Sequence, residues 1–455
     1  MSSNPERQVD VLVVGGGPAG TVATIQAARA GARTLLVEKS GVLGGTTVLN
    51  GVNLPGLFHA WGKQVIAGIG WELVLRAVSE AGEKLPDFLN FKVPHSWLQV
   101  PVDEALYAAV CDDAVVRCGA TLLLHTMPAA IGRDEGRWQV TLCTKEGLIA
   151  YRSRVLIDCT GDANVVSLAG LPLDRSNALQ PGTLMLLVGG YELATLDLAA
   201  IQRAFDATVE RGEVLRADLQ HDHDAVSRFL RSRGQNCMHV VGIDASTSAG
   251  KTDAELQARR AMMRIYRFFK AQPGLENFRI EWFASECGIR ETRTIQGRSR
   301  ITAQDYTSGR LWDDAVCYSF YPIDIHRADG HGIDIRPLSE GTVPTIPRGA
   351  MLPAGAENLI VAGRCICGDQ TAASAYRVQA TAMATGQAAG ALAALAARQN
   401  REVGDVSIGS LRALLAEHNA IVPGLPAHGP DGHSPKGEAF IAASVRLDST
   451  FPIKD

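Results

Sequence analysis

Val9-Asp10-Val11-Leu12-Val13-Val14-Gly15-Gly16-Gly17-Pro18-Ala19-Gly20, completed by Glu38 at the far end of the same unit, is the stretch whose reading decides the fold. The apolar run reads as a buried parallel strand. Gly15, Gly17 and Gly20 allow a tight turn, close approach of backbone to a pyrophosphate, and tight packing of the next helix on the sheet. That helix, led by Pro18 and Ala19, is expected to run to about Ala30 and stop at Gly31. A second strand from Arg33 then ends in the Glu38 carboxylate. An acid at a strand end accepts hydrogen bonds from both ribose hydroxyls of an adenosine. Strand, glycines, helix, strand and acid in register predict a dinucleotide site rather than a glycine-rich turn without ligand.

Later segments point to which dinucleotide. Past Glu38 come Lys39-Ser40-Gly41-Val42-Leu43-Gly44-Gly45-Thr46-Thr47. NAD-dependent dehydrogenases have no need of a second glycine pair there; FAD, extending further past the first turn, needs more close backbone approach. Val155 to Asp158 reads as another buried strand, followed by Thr160-Gly161-Asp162. Glu357 to Val361 is a third, ending in Gly363-Arg364. The small-residue helix that follows, Gln379-Ala380 onward to Gly390, can pack close to the sheet and turn its positive N-terminus to an electron-rich ring. Three separated cofactor-like segments on one sheet fit FAD better than NAD. Only one dinucleotide fingerprint occurs, so no built-in NAD(P)H site is expected.

These segments, together with Gly288-Ile289-Arg290-Glu291-Thr292-Arg293 and Tyr321-Pro322-Ile323-Asp324-Ile325-His326, resemble the bacterial FAD-dependent oxidoreductases related to the flavoprotein subunits of fumarate reductase and succinate dehydrogenase. The matching stretches run from residue 9 to about 395. The resemblance implies non-covalent FAD in an α/β, Rossmann-type, glutathione-reductase-like domain with an inserted α+β substrate domain. It implies no particular substrate, because the family is chemically broad. Arg364 departs from the wider flavoprotein pattern, which places an acid there for the ribityl chain; contact with the pyrophosphate is the alternative.

Composition sets outer limits. The chain has 455 residues, long enough for two domains, with 46% hydrophobic and 20% charged residues, an ordinary globular balance. A net charge of −4 without long runs of one sign gives no footprint for nucleic acid. The start lacks a signal peptide's apolar core, and no apolar run reaches the ~20 residues of a membrane span. Nine scattered cysteines read as reduced thiols. A soluble, cytoplasmic enzyme is expected.

The cofactor domain is expected to be discontinuous: residues 1–170 and a closing part at 346–400, with the substrate domain at 171–345 and a C-terminal helix and irregular tail at 401–455. Within the middle region a strand is expected over Gln180–Val188, and helices around 196–211 and 251–271. His221-Asp222-His223-Asp224 is read as a solvated loop, and no metal site is expected. The tail from about residue 422 is read as wrapping the surface or a partner subunit of a homo-oligomer.

Flavin chemistry needs a substrate carbon at N5, a group to move a proton, and fixed positive charge for a bound anion. His326 is the candidate for the proton, with Asp324 to orient it; the alternative is a structural histidine. Arg290 is the candidate clamp for a substrate carboxylate. Arg293, near one face with Arg290 if the stretch is helical, is expected instead to pair with Glu286 or Glu291. Cys365 and Cys367 read as small residues packed under the cofactor rather than a redox pair. His59, Tyr376 and Arg377 are further candidates for the substrate face. The expected activity is hydride transfer between a small hydroxylated or carboxylated substrate and flavin N5, with oxygen, a quinone or an electron-transfer protein as acceptor. Reduction of an activated C=C bond, or service as an electron-relay subunit, are the alternatives.

Overall fold

The computed structural model describes residues 7–219, 224–330 and 332–424. His221 and His223, and the tail past residue 424, lie outside them. The opening stretch forms β1 (Arg7–Val14), α1 (Pro18–Arg29) and β2 (Thr34–Val37). They join β3 (Thr121–Leu123), the antiparallel β4 (Met127–Asp134) and β5 (Arg137–Thr144), the long β6 (Gly147–Asp158), and β7 (Leu359–Val361) from far along the chain.

Five of these strands are parallel, in the spatial order β3-β2-β1-β6-β7. Their registers put Leu123, Val37, Val14, Asp158 and Val361 in one row at the carboxyl edge. β6 also pairs antiparallel with β5 through its first half. Ligands in open α/β sheets bind outside this edge. The first residues beyond it are Leu124, Glu38, Gly15, Cys159 and Ala362, in strand order, so the cofactor-like segments of the sequence emerge side by side.

The cofactor unit is closed by α2 (Gln379–Gln399), which lies on α1. A Cβ at Gly386 would meet the Ala19 carbonyl oxygen at 2.2 Å, and one at Gly390 the Ala23 carbonyl oxygen at 2.2 Å. Two glycines four residues apart therefore let the helices touch backbone to backbone. α2 is the one described helix long and apolar enough to cross a bilayer, yet 89% of its apolar window is buried inside the protein, which makes it a core helix.

A second core gathers side chains from residues 184–287, among them Phe205, Phe229, Phe269 and Phe278. It rests on the helix Ser248–Lys270, whose N-terminus is capped by the Thr247 side chain accepting from Gly250 N–H. The strand expected over 180–188 is two short ones: Gly182–Thr183 pairs with His239–Val240, and Leu186–Gly189 with Arg279–Phe283. Ile295, Tyr306, Ile323 and Ile346 pack instead into the core shared by the parallel sheet, α1 and α2.

The helix contact yields a paired prediction. Gly386→Ala should cost about 1–3 kcal/mol, since backbone must move to admit the methyl. Gly409→Ala, at an exposed position of the helix Ile408–Glu417 where the methyl meets nothing closer than 4.0 Å, should be neutral or stabilising by up to about 1 kcal/mol. Thermal unfolding of the two variants beside the parent checks both.

Candidate functional site

Glu38 is buried at the end of β2. Its carboxylate accepts from Gly16 N–H at 2.6 Å and Ser40 N–H at 2.8 Å. The Ser40 hydroxyl lies 2.8 Å from both Glu38 Oε1 and the Val42 carbonyl, and its one hydrogen serves only one of them. Donated to Val42, it leaves two acceptor positions on Glu38 open, as many as a ribose diol requires. Gly17 is the N-cap of α1, with Pro18 in its first turn and no side chain capping it. Gly15 N–H bonds back to Val37. Gly44 N–H donates to Gly16 O at 2.9 Å, seating Gly45 on Gly17; a Cβ at Gly45 would lie 2.7 Å from Gly17 Cα.

The start of α2 is likewise uncapped, and Gln379, Ala380 and Thr381 are buried there. A buried helix N-terminus without a cap holds unsatisfied N–H groups and a positive dipole end. Gln379 is fixed by accepting from Thr47 at 2.6 Å and donating to Val52 O at 2.6 Å, and Thr46 O accepts from Val52 N–H. Gly363 N–H donates to Thr385 within α2. Asp158 holds the turn after β6, accepting from the amide and hydroxyl of Thr160 and from the Val165 and Val166 amides. Beyond it, Asp162 pairs with Arg364 at 2.6 Å and accepts from Thr292 at 2.8 Å, with the Arg364 guanidinium over Gly161. Burial opposes the Asp162 charge, but Arg364 outweighs it and holds the carboxyl below the usual range. Lys39, by contrast, reaches out to Glu286 at 3.2 Å. The glycine cradle, the open positions on Glu38 and two uncapped helix ends fit the pyrophosphate, ribose and ring of FAD.

Next to Asp162 and Arg364, a cavity of about 120 Å³ is walled by Arg175, Arg290, Arg293, Arg300, Arg364 and Arg377, with Asp174 and Glu291 the acids among its lining. Arg175, Arg300 and Arg364 are each paired with an acid within 3.0 Å. Arg290 is different. It donates to Pro181 O at 2.7 Å and Thr183 Oγ1 at 2.9 Å, and among the described residues no carboxylate pairs with it. Burial and the neighbouring Arg377 push it down to about 9, which leaves it charged at neutral pH. Arg293 also meets only neutral acceptors, on Ser167, Asn164 and Ser246. The expected partners are engaged elsewhere: Glu286 with Lys39 and Lys251, Glu291 with Gln180 N–H and Gln370. Residues 288–293 form no helix, so the i, i+3 spacing does not set the relation of the two arginines.

His326 ends the strand Ile323–His326 and is buried. Its Nε2 is 3.6 Å from Asp324 Oδ1, and Asp324 Oδ2 is 3.6 Å from Arg377. Its Nδ1 is 2.9 Å from Nε2 of His239, a buried histidine that sequence reading missed. A lone histidine in the apolar stretch Cys237 to Val241 carries no signal, and only strand pairing beside Thr183 brings it to the site. Gln180, also missed, accepts from His326 N–H at 3.1 Å. Burial first and Arg290 second push His326 down to about 3, Asp324 notwithstanding. Burial also opposes charge on Asp324, but His326 and Arg377 hold that carboxyl low. His59 stacks on Phe88 at 3.7 Å, and Tyr376 donates to Ile366 O. Cys365 and Cys367 are buried free thiols, Cys365 pushed up by burial.

The fold and this cradle define an FAD-binding flavoenzyme. The chain matches the sequence model of the FAD dependent oxidoreductase family over residues 10–415 and belongs to that family. A dihydrolipoyl dehydrogenase of Trypanosoma brucei brucei is 54% identical over 52 residues, 11% of this chain and 11% of that protein. The chain thus spans about a tenth of the length of the curated relatives it matches. Among solved structures, p-nitrophenol 4-monooxygenase of Pseudomonas putida DLL-E4 aligns at 13% identity and TM-score 0.41, over 96% of this chain and 93% of that one. A geranylgeranyl bacteriochlorophyll reductase-like protein of Thermoplasma acidophilum aligns at 13% identity and TM-score 0.40, over 90% and 83%.

Two predictions follow from the geometry. Glu38→Gln should weaken FAD binding at least about tenfold, the worth of hydrogen bonds to a charged acceptor; titration of the apoprotein by flavin fluorescence reads it. The second concerns acid stability. His326 takes its proton near 6.5 when unfolded but near 3 when folded. Below pH 6.5 the unfolded chain binds the extra proton, so stability falls as pH drops from 6.5 toward 3 and is fully present above that window. His326→Asn should flatten the slope of the urea midpoint across that range.

Proposed function

We propose that this FAD-dependent oxidoreductase oxidises a small hydroxylated or carboxylated anion, with Arg290 holding the anionic group and His326 taking the proton. The observation that carries the reading is Arg290, a half-buried guanidinium paired with no carboxylate among the described residues, lining one cavity with Arg377, which contacts the His326–Asp324 pair. A partly desolvated cation left without an acid favours an anionic ligand that supplies the missing charge. Arg293, equally unneutralised, adds to that field. Bound FAD, seated by Gly15 to Gly20, Glu38, Gly44 to Thr46, Thr160 to Asp162, Gly363, Arg364, Gln379 and Ala380, supplies the hydride acceptor.

Neutral His326 is ready to accept a proton from a substrate hydroxyl. Asp324 then stabilises the imidazolium, and Arg377 keeps Asp324 ionised. Burial is the larger of the two effects that hold His326 down; an anion on Arg290 offsets the smaller one, so substrate binding raises the basicity of His326. The relation to fumarate reductase flavoproteins, read from Gly288–Arg293 and Tyr321–His326, belongs to this proposal. So do a cytoplasmic setting, a homo-oligomeric state, and oxygen, a quinone or an electron-transfer protein as final acceptor.

The test is anaerobic bleaching of the flavin by a panel of small hydroxy acids. His326→Ala should keep bound flavin and slow bleaching about 10²–10⁴-fold, the usual worth of a general base. Arg290→Lys should raise the substrate concentration at half-saturation while flavin content stays constant. Full-rate bleaching in His326→Ala sinks the base assignment, and an unchanged half-saturation in Arg290→Lys retires the clamp.

A further inference from the structure

Two buried glutamines and a histidine share one chain of hydrogen bonds at the back of the cofactor unit. Gln387 of α2 and Gln26 of α1 are closed to solvent. Gln387 Oε1 accepts from Ile69 N–H at 3.0 Å, and its Nε2 lies 3.1 Å from the His418 carbonyl. A backbone N–H only donates and a carbonyl only accepts, so this amide has one allowed orientation. Its Nε2 also lies 3.1 Å from Gln26, which must present Oε1 there and Nε2 to its other neighbour. That neighbour is Nδ1 of His418, 2.5 Å away. Nδ1 therefore accepts, and His418 is neutral in this arrangement, with its proton on Nε2.

His418 directly follows the helix Ile408–Glu417, whose Leu411, Leu414 and Leu415 pack into the core of the cofactor unit. The bonds thus run from the start of the helix Ile69–Glu80, through α2 and α1, to the end of this later helix. We propose that they form a proton-operated latch: neutral His418 fastens the helix Ile408–Glu417 to α1 and α2, and a proton on Nδ1 unfastens it. A protonated ring sets N–H against N–H at the 2.5 Å contact. Turning Gln26 over only moves the same clash to Gln387, which its two backbone partners hold in place. The charged groups about the ring are Glu417 on its own helix, Arg29 on α1 and Glu72 on the helix Ile69–Glu80, while α2 presents the neutral Gln387. Arg29 and Glu72 pair with each other at 2.8 Å. Burial is the largest influence and holds His418 below its ordinary 6.5, Glu417 notwithstanding. The undocked ring takes a proton more readily than the docked one, so docking is strongest above pH 6.5 and weakens as pH falls below it. A histidine that merely filled space at a helix end would leave docking indifferent to pH.

The experiment is amide hydrogen exchange of the FAD-loaded full chain, read by mass spectrometry as protection factors at about pH 7.5 and about pH 5.5. Protection of the helix Ile408–Glu417, taken relative to the helix Ser248–Lys270 of the second core, should fall by up to about tenfold at the lower pH, the bound for one histidine about one pH unit below its free midpoint. In Gln26→Glu a carboxylate accepts from both Gln387 and the protonated ring, so protection at the lower pH should match or exceed that at the higher. In His418→Phe, which has no proton to take, protection should be equal at both. Equal relative protection at the two pH values in the parent overturns the proposal, and that measurement decides even where a variant fails to fold. A fall that persists in folded His418→Phe traces the pH dependence to another group and overturns it too.

Discussion

Backbone contact between α1 and α2 holds the cofactor half of the molecule together. Gly386 and Gly390 carry no side chain between α2 and the carbonyls of Ala19 and Ala23, so dispersion and burial act at the shortest distance two helices can adopt. That contact brings a segment from the last quarter of the chain against the first, and it places Gln379 within hydrogen-bond reach of Thr47. β7 enters the same sheet beside β6, so Gly363 and Arg364 arrive at the edge where Gly15 and Glu38 already stand. Without close helix packing, the uncapped start of α2 would have no reason to point into the cradle.

Charge is distributed unevenly across this architecture. In the cofactor cradle each carboxylate has donors of its own: Asp162 has Arg364, Asp158 four donors, and Glu38 two amides. In the adjoining cavity Arg290 and Arg293 are bonded only to neutral acceptors. Cations half-withdrawn from water and bonded only to neutral groups cost stability unless a ligand compensates them. Proteins carry such costs at functional sites, where the compensating charge arrives with the ligand.

Much of the cofactor half was legible because its signals are local. The hydrophobic run of β1, the glycines, Pro18 and the acid at Glu38 sit within one strand-helix-strand unit, and each has a separate physical reason to be there. The α/β class, FAD as the cofactor and membership among FAD-dependent oxidoreductases all agree with that reading. Segment 180–188 was harder: its apolar residues suit a strand, but their pairing partners lie at 239–240 and 279–283, which no local pattern announces. Arg293 was expected to take an acid, and its real neighbours are Ser167, Asn164 and Ser246, again from distant segments.

The sequence by itself determined the periodicities, the glycine positions that admit backbone to backbone, and the residue types able to hold a dinucleotide, because these depend on spacing along one short stretch. Only the tertiary structure decided what surrounds each charged or titratable group. Arg290 without an acid, and His326 between Asp324 and His239, are products of strand pairing and burial across long sequence separations. Burial and neighbouring charge set the protonation and pairing of such groups, and neither is a property of the residue alone.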